Sequence, residues 1–219
     1  MLLFVSRRAA SFLLTLAVTS LVVFAVLEWL PGNAAEVILG ETATPEALAA
    51  LEKKLGLDQP APVRYLAWVG GLLQGRSGLS MAYDVPTAEL IAERLQVTLP
   101  LAVLALAITV VLALAAGVYA ASRQNRVGDV GVMTLSQLGL SVPNFWLAIL
   151  LVLLFAVQLG WVNAGGFPGW TEAEGGGVAE GLRALLLPAL ALAAVQTAIL
   201  TRVTRSAVLD VLREDFVRT

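Results

Sequence analysis

The chain has 219 residues, of which 58% are hydrophobic and 14% charged, with a mean hydropathy of +0.84. A soluble domain carries about 25% charged residues, so this composition excludes an ordinary water-soluble core. The formal charge of −2 excludes little, but the absence of cysteine and histidine removes disulfides, thiol chemistry, imidazole bases and most zinc or haem sites.

Four stretches carry no charge: Ala9–Leu27, Gln96–Ser122, Val130–Thr171 and Ala184–Thr201. About 20 apolar residues in a helix rise ~30 Å and match the hydrocarbon core of a bilayer. The first stretch follows Arg7-Arg8 and closes at Trp29-Leu30-Pro31-Gly32, an interfacial tryptophan followed by a helix-ending pair. A cleaved signal peptide ending near Asn33-Ala34-Ala35 is the rival reading. Its apolar core is usually ~7–15 residues, shorter than this run, which favours a retained span.

The loop that follows has helices of its own. Thr44-Pro45-Glu46 reads as an N-cap with proline in the first turn, and Gly56 after Lys53-Lys54-Leu55 as a stop. Asp58-Gln59-Pro60 opens a second helix over Val63–Leu73, and Gly75-Arg76-Ser77-Gly78 is a turn. Residues 70–77 imitate a phosphate-binding loop with arginine in place of lysine. That loop needs a strand before it and a helix after it, so the segment reads as a turn. A third helix, about Pro86–Leu95, carries Glu89 and Glu93 on one face and is expected to lie along the outer bilayer surface before the second span.

In the second span, Ala113, Ala116, Gly117, Ala120 and Ala121 predict close packing against other helices, because small residues let backbones approach where lipid supplies no hydrophobic drive. The third run is too long for one crossing. It is predicted to start near Val130, break or kink at Pro143 and cross over Phe145–Leu159. Gly165–Gly181 is expected to be a mobile glycine-rich outer loop, and a fourth span is expected from near Leu186-Pro188 to Arg202.

Orientation follows from the basic residues. Segments 1–8, 122–129 and 202–219 hold eight Lys/Arg in 34 residues, whereas 28–96 and 163–183 hold six in 90. Basic loops are retained in the cytoplasm, which places the N-terminus inside. No carboxylate lies in the middle of a predicted span, where an ion-coupled transporter would keep one. Polarity there comes from groups such as Ser141, Asn144, Gln196 and Thr197, which either line a solute path or hydrogen-bond between helices. Glu172/Glu174 and Glu89/Glu93 lack a neighbouring nucleophile or base and read as solvated faces.

Ser141-Val142-Pro143-Asn144-Phe145-Trp146 resembles the S-[IV]-P-x-F-W stretch of peptide/nickel-type ABC importer permeases. Leu187-Pro188-Ala189-Leu190, Arg202-x-x-Arg205-Ser206 and Asp210–Thr219 resemble the same family. Glu28-Trp29-Leu30-Pro31-Gly32-Asn33 and Leu55-Gly56-Leu57-Asp58-Gln59-Pro60 resemble its first-permease type, although Asn33-Ala34 stands where Asp-Pro is common. The resemblance runs the length of the chain.

It implies an all-α membrane protein, the type I ABC importer transmembrane bundle, with four of six expected transmembrane helices present. Residues 1–95 would be the first helix and its extracytoplasmic loop, and 96–219 the permease domain, incomplete at its C-terminus. A fragment is therefore expected, because the sequence stops before the glycine of the EAA motif. The implied setting is a prokaryotic inner membrane. The implied partners are a second homologous permease, two cytoplasmic ATPase subunits and an extracytoplasmic solute-binding protein, with no cofactor, metal or nucleic acid. ATP hydrolysis would belong to the partners, so the chain itself is not expected to be an enzyme. Arg218 and Thr219 would begin the ATPase-coupling loop, with Asp215, Phe216 and Val217 just ahead. Arg202, Arg205 and Arg213 read as topology signals and lipid-phosphate contacts. A non-transporting scaffold and a secondary transporter are the alternative readings.

Overall fold

The computed structural model describes residues 1–30, 32, 34–40, 44–80 and 83–219, with the side chains of all but Leu2 and Arg218. The expected stop at Pro31 and the departure at Asn33 lie outside the described residues. Secondary structure among them is helical, apart from one isolated bridge between Leu79 and Pro86. The chain divides into two compact units, Met1–Glu93 and Arg94–Thr219.

The first unit begins with α1 (Leu2–Trp29), 28 residues and so about 42 Å long. Its most apolar window is unburied, with Phe12, Leu13, Leu14 and Val22 all turned outward as a lipid-facing helix requires. Helices α2 (Ala34–Leu39), α3 (Pro45–Leu55) and α4 (Ala61–Leu73) follow. The signals at the ends of α3 act as the sequence predicts. Thr44 Oγ1 accepts from Ala47 N at 3.3 Å, Pro45 sits in the first turn, and Gly56 adopts φ 69° to close the helix. Helix α4 packs on α1 through Tyr65, whose hydroxyl lies 2.8 Å from Ser20 Oγ and whose ring lies 5.3 Å from Phe24. One turn on, Arg64 pairs with Glu28. Residues 74–78 form a turn, with Gly75 and Gly78 at positive φ, and the segment directly before them is the helix α4.

Two expectations about helix ends are corrected. The segment 86–95 is not a separate surface helix. It forms the first turns of α5, which runs unbroken over Thr87–Ser122, about 54 Å. Ala88 N donating to Ser77 Oγ at 2.9 Å, and Thr87 N to Gly78 O at 3.0 Å, fix its start. The helix of the fourth span likewise does not begin at Pro188. Helix α8 covers Val178–Leu212 with Pro188 inside it. A proline removes one backbone bond, and a helix held by neighbours tolerates that loss.

In the second unit, α6 (Val127–Ser141) meets α7 (Asn144–Leu151) at an angle of 100°. The expected interruption at Pro143 is a full break, with a sharp turn between the two helices. Val142 is extended (φ −93°, ψ 122°), the conformation that a following proline enforces, and Pro143 then starts the next helix. From Val152 to Gln158 the coil widens into a π-helix. It closes at Gly160 (φ 63°), with Trp161 N donating to Phe155 O at 2.8 Å.

Four of the five small residues predicted to pack in α5 are buried, and Ala116 is half-buried. Ala105, Thr109, Ala113, Gly117, Ala120 and Ala121 are buried at mostly four-residue spacing. A Cβ on Gly117 would lie 2.6 Å from Thr204 Cβ, so α5 and α8 approach there as only glycine permits. The buried side of α8 is also rich in small residues, with Ala189, Ala191, Ala193 and Ala198 beside Leu185, Leu187 and Leu209.

The glycine-rich loop is tied down rather than free of contacts. Trp170 donates its indole N–H to Gln96 O at 2.8 Å and packs over Gly181, while Phe167 meets its ring edge-on at 5.0 Å. Glu174 Oε2 accepts from Trp170 N (2.9 Å) and Thr171 N (3.1 Å), and residues 178–181 already belong to α8. Helices α1, α5 and α8 are each long and apolar enough to cross a bilayer, and the bent α6–α7 pair makes a fourth candidate.

Candidate functional site

The strongest polar constellation of the second unit joins α6 to α8. Asp129, in the first turn of α6, is 3% exposed. It faces Arg205, two turns before the end of α8. The guanidinium donates from Nε to Oδ1 and from Nη2 to Oδ2, both at 2.6 Å, the two-pronged match that planar arginine makes with a carboxylate. Oδ2 also accepts from Asn125 N at 2.9 Å, so the carboxylate holds the turn between α5 and α6 as well. Three charge-assisted bonds satisfy a buried charge that would otherwise be costly. Removing one partner of such a pair costs about 3–5 kcal/mol.

This pair corrects the reading of Arg205 as a lipid-phosphate contact: its guanidinium binds Asp129. Sequence reasoning passed over Asp129 because it sits one residue before a charge-free run and counts as loop. The available signal was its sign, since Asp129 is the one acid in the otherwise basic segment 122–129.

Ser141, Asn144, Gln196 and Thr197 fall into two places. Ser141 and Asn144 flank the 100° turn and are exposed, and Ser141 Oγ donates to Gln137 O at 3.0 Å. Gln196 is exposed on α8. Beside it, Thr197 has its Oγ1 buried without a hydrogen-bond partner among the described residues. Among the described residues no side-chain hydrogen bond joins one pair to the other. Around Thr197 the helices are close, with an ideal Cβ on Gly139 3.5 Å from Ala198 Cβ.

Beyond α8, Arg213 and Glu214 turn the chain into the short helix α9 (Asp215–Arg218). Phe216 is 70% exposed, and Asp215, Val217 and Thr219 are exposed beside it. Thr219 Oγ1 donates to the Asp215 and Phe216 carbonyls at 3.2 Å, which folds the last residues back onto α9. The Arg218 side chain lies outside the described ones.

Residues 113–219 match the family of binding-protein-dependent transport system inner membrane components, and residues 1–102 match the N-terminal family of the same membrane components. A protein of Brucella suis biovar 1 named as a peptide transport system permease is 40% identical over 213 residues, 97% of this chain and 67% of its own length. The dipeptide transport system permease protein of Alkalihalophilus pseudofirmus is 34% identical over 235 aligned residues, covering this whole chain and 71% of that protein. The glutathione transport system permease protein of Escherichia coli O1:K1 / APEC is 35% identical over 219 residues, covering this whole chain and 68% of that protein. The chain thus spans about two thirds of the length of these relatives.

Proposed function

The chain belongs to the binding-protein-dependent transport permeases, the all-α membrane components of type I ABC importers, and from that premise we propose that it forms half of an ATP-driven import path for peptides or similar solutes. The observation that carries this reading is the match along both halves of the chain to permeases named for peptides, dipeptides and glutathione. The long apolar helices α1, α5 and α8 provide the membrane scaffold.

The partners in this reading are a second homologous permease, two cytoplasmic ATPase subunits and an extracytoplasmic solute-binding protein. Asp215–Thr219 form the start of the segment that docks on the ATPase, a role supported by the resemblance of Asp210–Thr219 to the family's approach to its coupling loop. The basic segments around Arg7, Arg123 and Arg213 support a cytoplasmic N-terminus. Ser141 and Asn144 at the sharp turn, with Gln196 and Thr197 on α8, are the groups offered to solute or to facing helices. ATP hydrolysis is assigned to the partners.

The test is co-purification from the native membrane followed by uptake in proteoliposomes. Recovery of two ATPase subunits and a second permease, with ATP-dependent import of radiolabelled dipeptides or glutathione, is the expected result. Recovery without any ATPase, together with ATP-independent uptake or none, would sink the reading.

A further inference from the structure

The Asp129 carboxylate makes three bonds to two other parts of the second unit, Arg205 of α8 and the Asn125 N–H of the α5–α6 turn, and this joint lies between the two ends of a mechanical path. Arg205 lies ten residues before α9, about 15 Å along the helix, and α9 is the proposed docking segment. Asp129 lies twelve residues before the end of α6, about 18 Å from the sharp turn at Val142-Pro143. Between those points the two helices stay close, with Ser136 buried on α6 and an ideal Cβ on Gly139 3.5 Å from Ala198 Cβ. Directly beside Arg205, Thr204 abuts Gly117 of α5 so tightly that no side chain fits between them.

A short carboxylate held by a planar fork is a directional joint. It fixes distance and rotation together, whereas apolar contacts between Ala-rich faces allow sliding. We propose that Asp129 and Arg205 are positioning residues that lock α8 to α6, so that a displacement of α9 reaches the turn at Val142-Pro143 without slip between the two helices. The lock rests on the importer reading for what it transmits, but the joint itself is read from geometry. Arginine is required rather than lysine, because one ammonium cannot engage Oδ1 and Oδ2 through a fixed fork. The Asn125 bond brings the α5–α6 turn into the same body.

The test uses the full-length permease assembled with its partner subunits. In a background cleared of any other cysteine, a single pair, Gly139→Cys with Ala198→Cys, reports the α6–α8 contact at a Cβ separation suited to a disulfide. In the parent, oxidative cross-linking is expected to be near complete, and the cross-linked complex is expected to retain import, since locked helices already move together. Asp129→Asn and Arg205→Lys are expected to lower the cross-linking rate at least threefold. They are also expected to lower the amount of dipeptide or glutathione imported per ATP hydrolysed about tenfold, and the disulfide restores that ratio.

Unchanged cross-linking in both variants overturns the lock, as does a parent complex that stops importing once cross-linked. A variant that fails to assemble leaves the parent's cross-linked import as the deciding measurement. A parent that imports neither probe under ATP overturns the importer reading and this inference with it. Import by the parent with slip-free variants overturns the inference alone.

Discussion

Trp170 donates its indole N–H to the carbonyl of Gln96 at 2.8 Å, and Gln96 is the residue four positions before Pro100 in α5. A proline has no N–H to return to that carbonyl, so the helix leaves Gln96 O without its usual partner. The glycine-rich loop supplies the missing donor. The loop and the proline are thus two halves of one hydrogen-bonding arrangement, and the exchange explains how a proline is carried inside an uninterrupted helix.

Trp170→Phe keeps the ring against Gly181 and Phe167 but removes the donor. It is expected to lower thermal stability in detergent by about 0.5–1.5 kcal/mol. Pro100→Ala restores an N–H to Gln96 O, and in that background the cost of Trp170→Phe is expected to shrink towards zero. A double-mutant cycle on melting temperatures measures the coupling. Additive losses would mean that the indole bond does not answer to Pro100.

The same loop carries a pH dependence. The backbone N–H of Thr171, then its hydroxyl, then the N–H of Trp170 hold the Glu174 carboxyl below its ordinary value of 4.5. A carboxyl lowered on folding contributes its stabilisation in full above the ordinary value, and loses it as pH falls through the folded value. Loop order is therefore expected to be flat from pH 8 to 5 and to decline below about 4.5. A variant keeping only Trp170 of the five tryptophans reports this by fluorescence. Glu174→Gln is expected to abolish the acid transition, and its persistence there would assign it to another group.

Two glycines of the second unit carry opposite expectations. At Gly117 a Cβ would meet Thr204 Cβ at 2.6 Å and Thr201 O at 3.0 Å, so Gly117→Ala forces α5 and α8 apart. Overpacking of this kind costs about 1–3 kcal/mol. Gly131, exposed on α6, has nothing within 4 Å of the same position. There alanine is expected to stabilise the helix by up to about 1 kcal/mol. Thermal melts of the two variants in one detergent decide both, and a neutral Gly117→Ala would show that the interface relaxes.

What the sequence made legible was set by local physics. Thr44, Pro45 and Gly56 mark their helix ends because capping depends on neighbours a few residues apart. The break at Pro143 was visible because a proline constrains its own residue and the one before it. The apolar runs gave the spans, since length against bilayer thickness needs no tertiary knowledge. Helix ends failed where polarity was taken for an end. Residues 87–95 and 202–212 are polar enough to leave the bilayer, yet remain helical because nothing in them breaks the backbone pattern. The 100° angle and the Asp129–Arg205 pair were beyond reach for a different reason. Each depends on partners distant in sequence, and a 76-residue separation leaves no local trace. The four polar residues singled out from sequence separate into two pairs, because identity alone could not say which side of a helix each occupies.

Phe216 gives the sharpest test of the proposed docking segment. It is 70% exposed on a helix of four residues that follows 35 residues of α8, and an apolar ring in that position gains by burial against another protein. Aromatic anchors at interface centres lose 2 kcal/mol or more on truncation, which is roughly 30-fold in affinity. In the full-length protein, Phe216→Ala is expected to reduce ATPase recovery on co-purification by about that factor, while the apolar spans still insert into the membrane. Asp215→Ala and Thr219→Ala disturb the exposed helix without removing the ring, and are expected to cost less. Quantitative pull-down at several ATPase concentrations separates the three variants. Equal recovery of ATPase with and without the ring would move the docking surface away from α9.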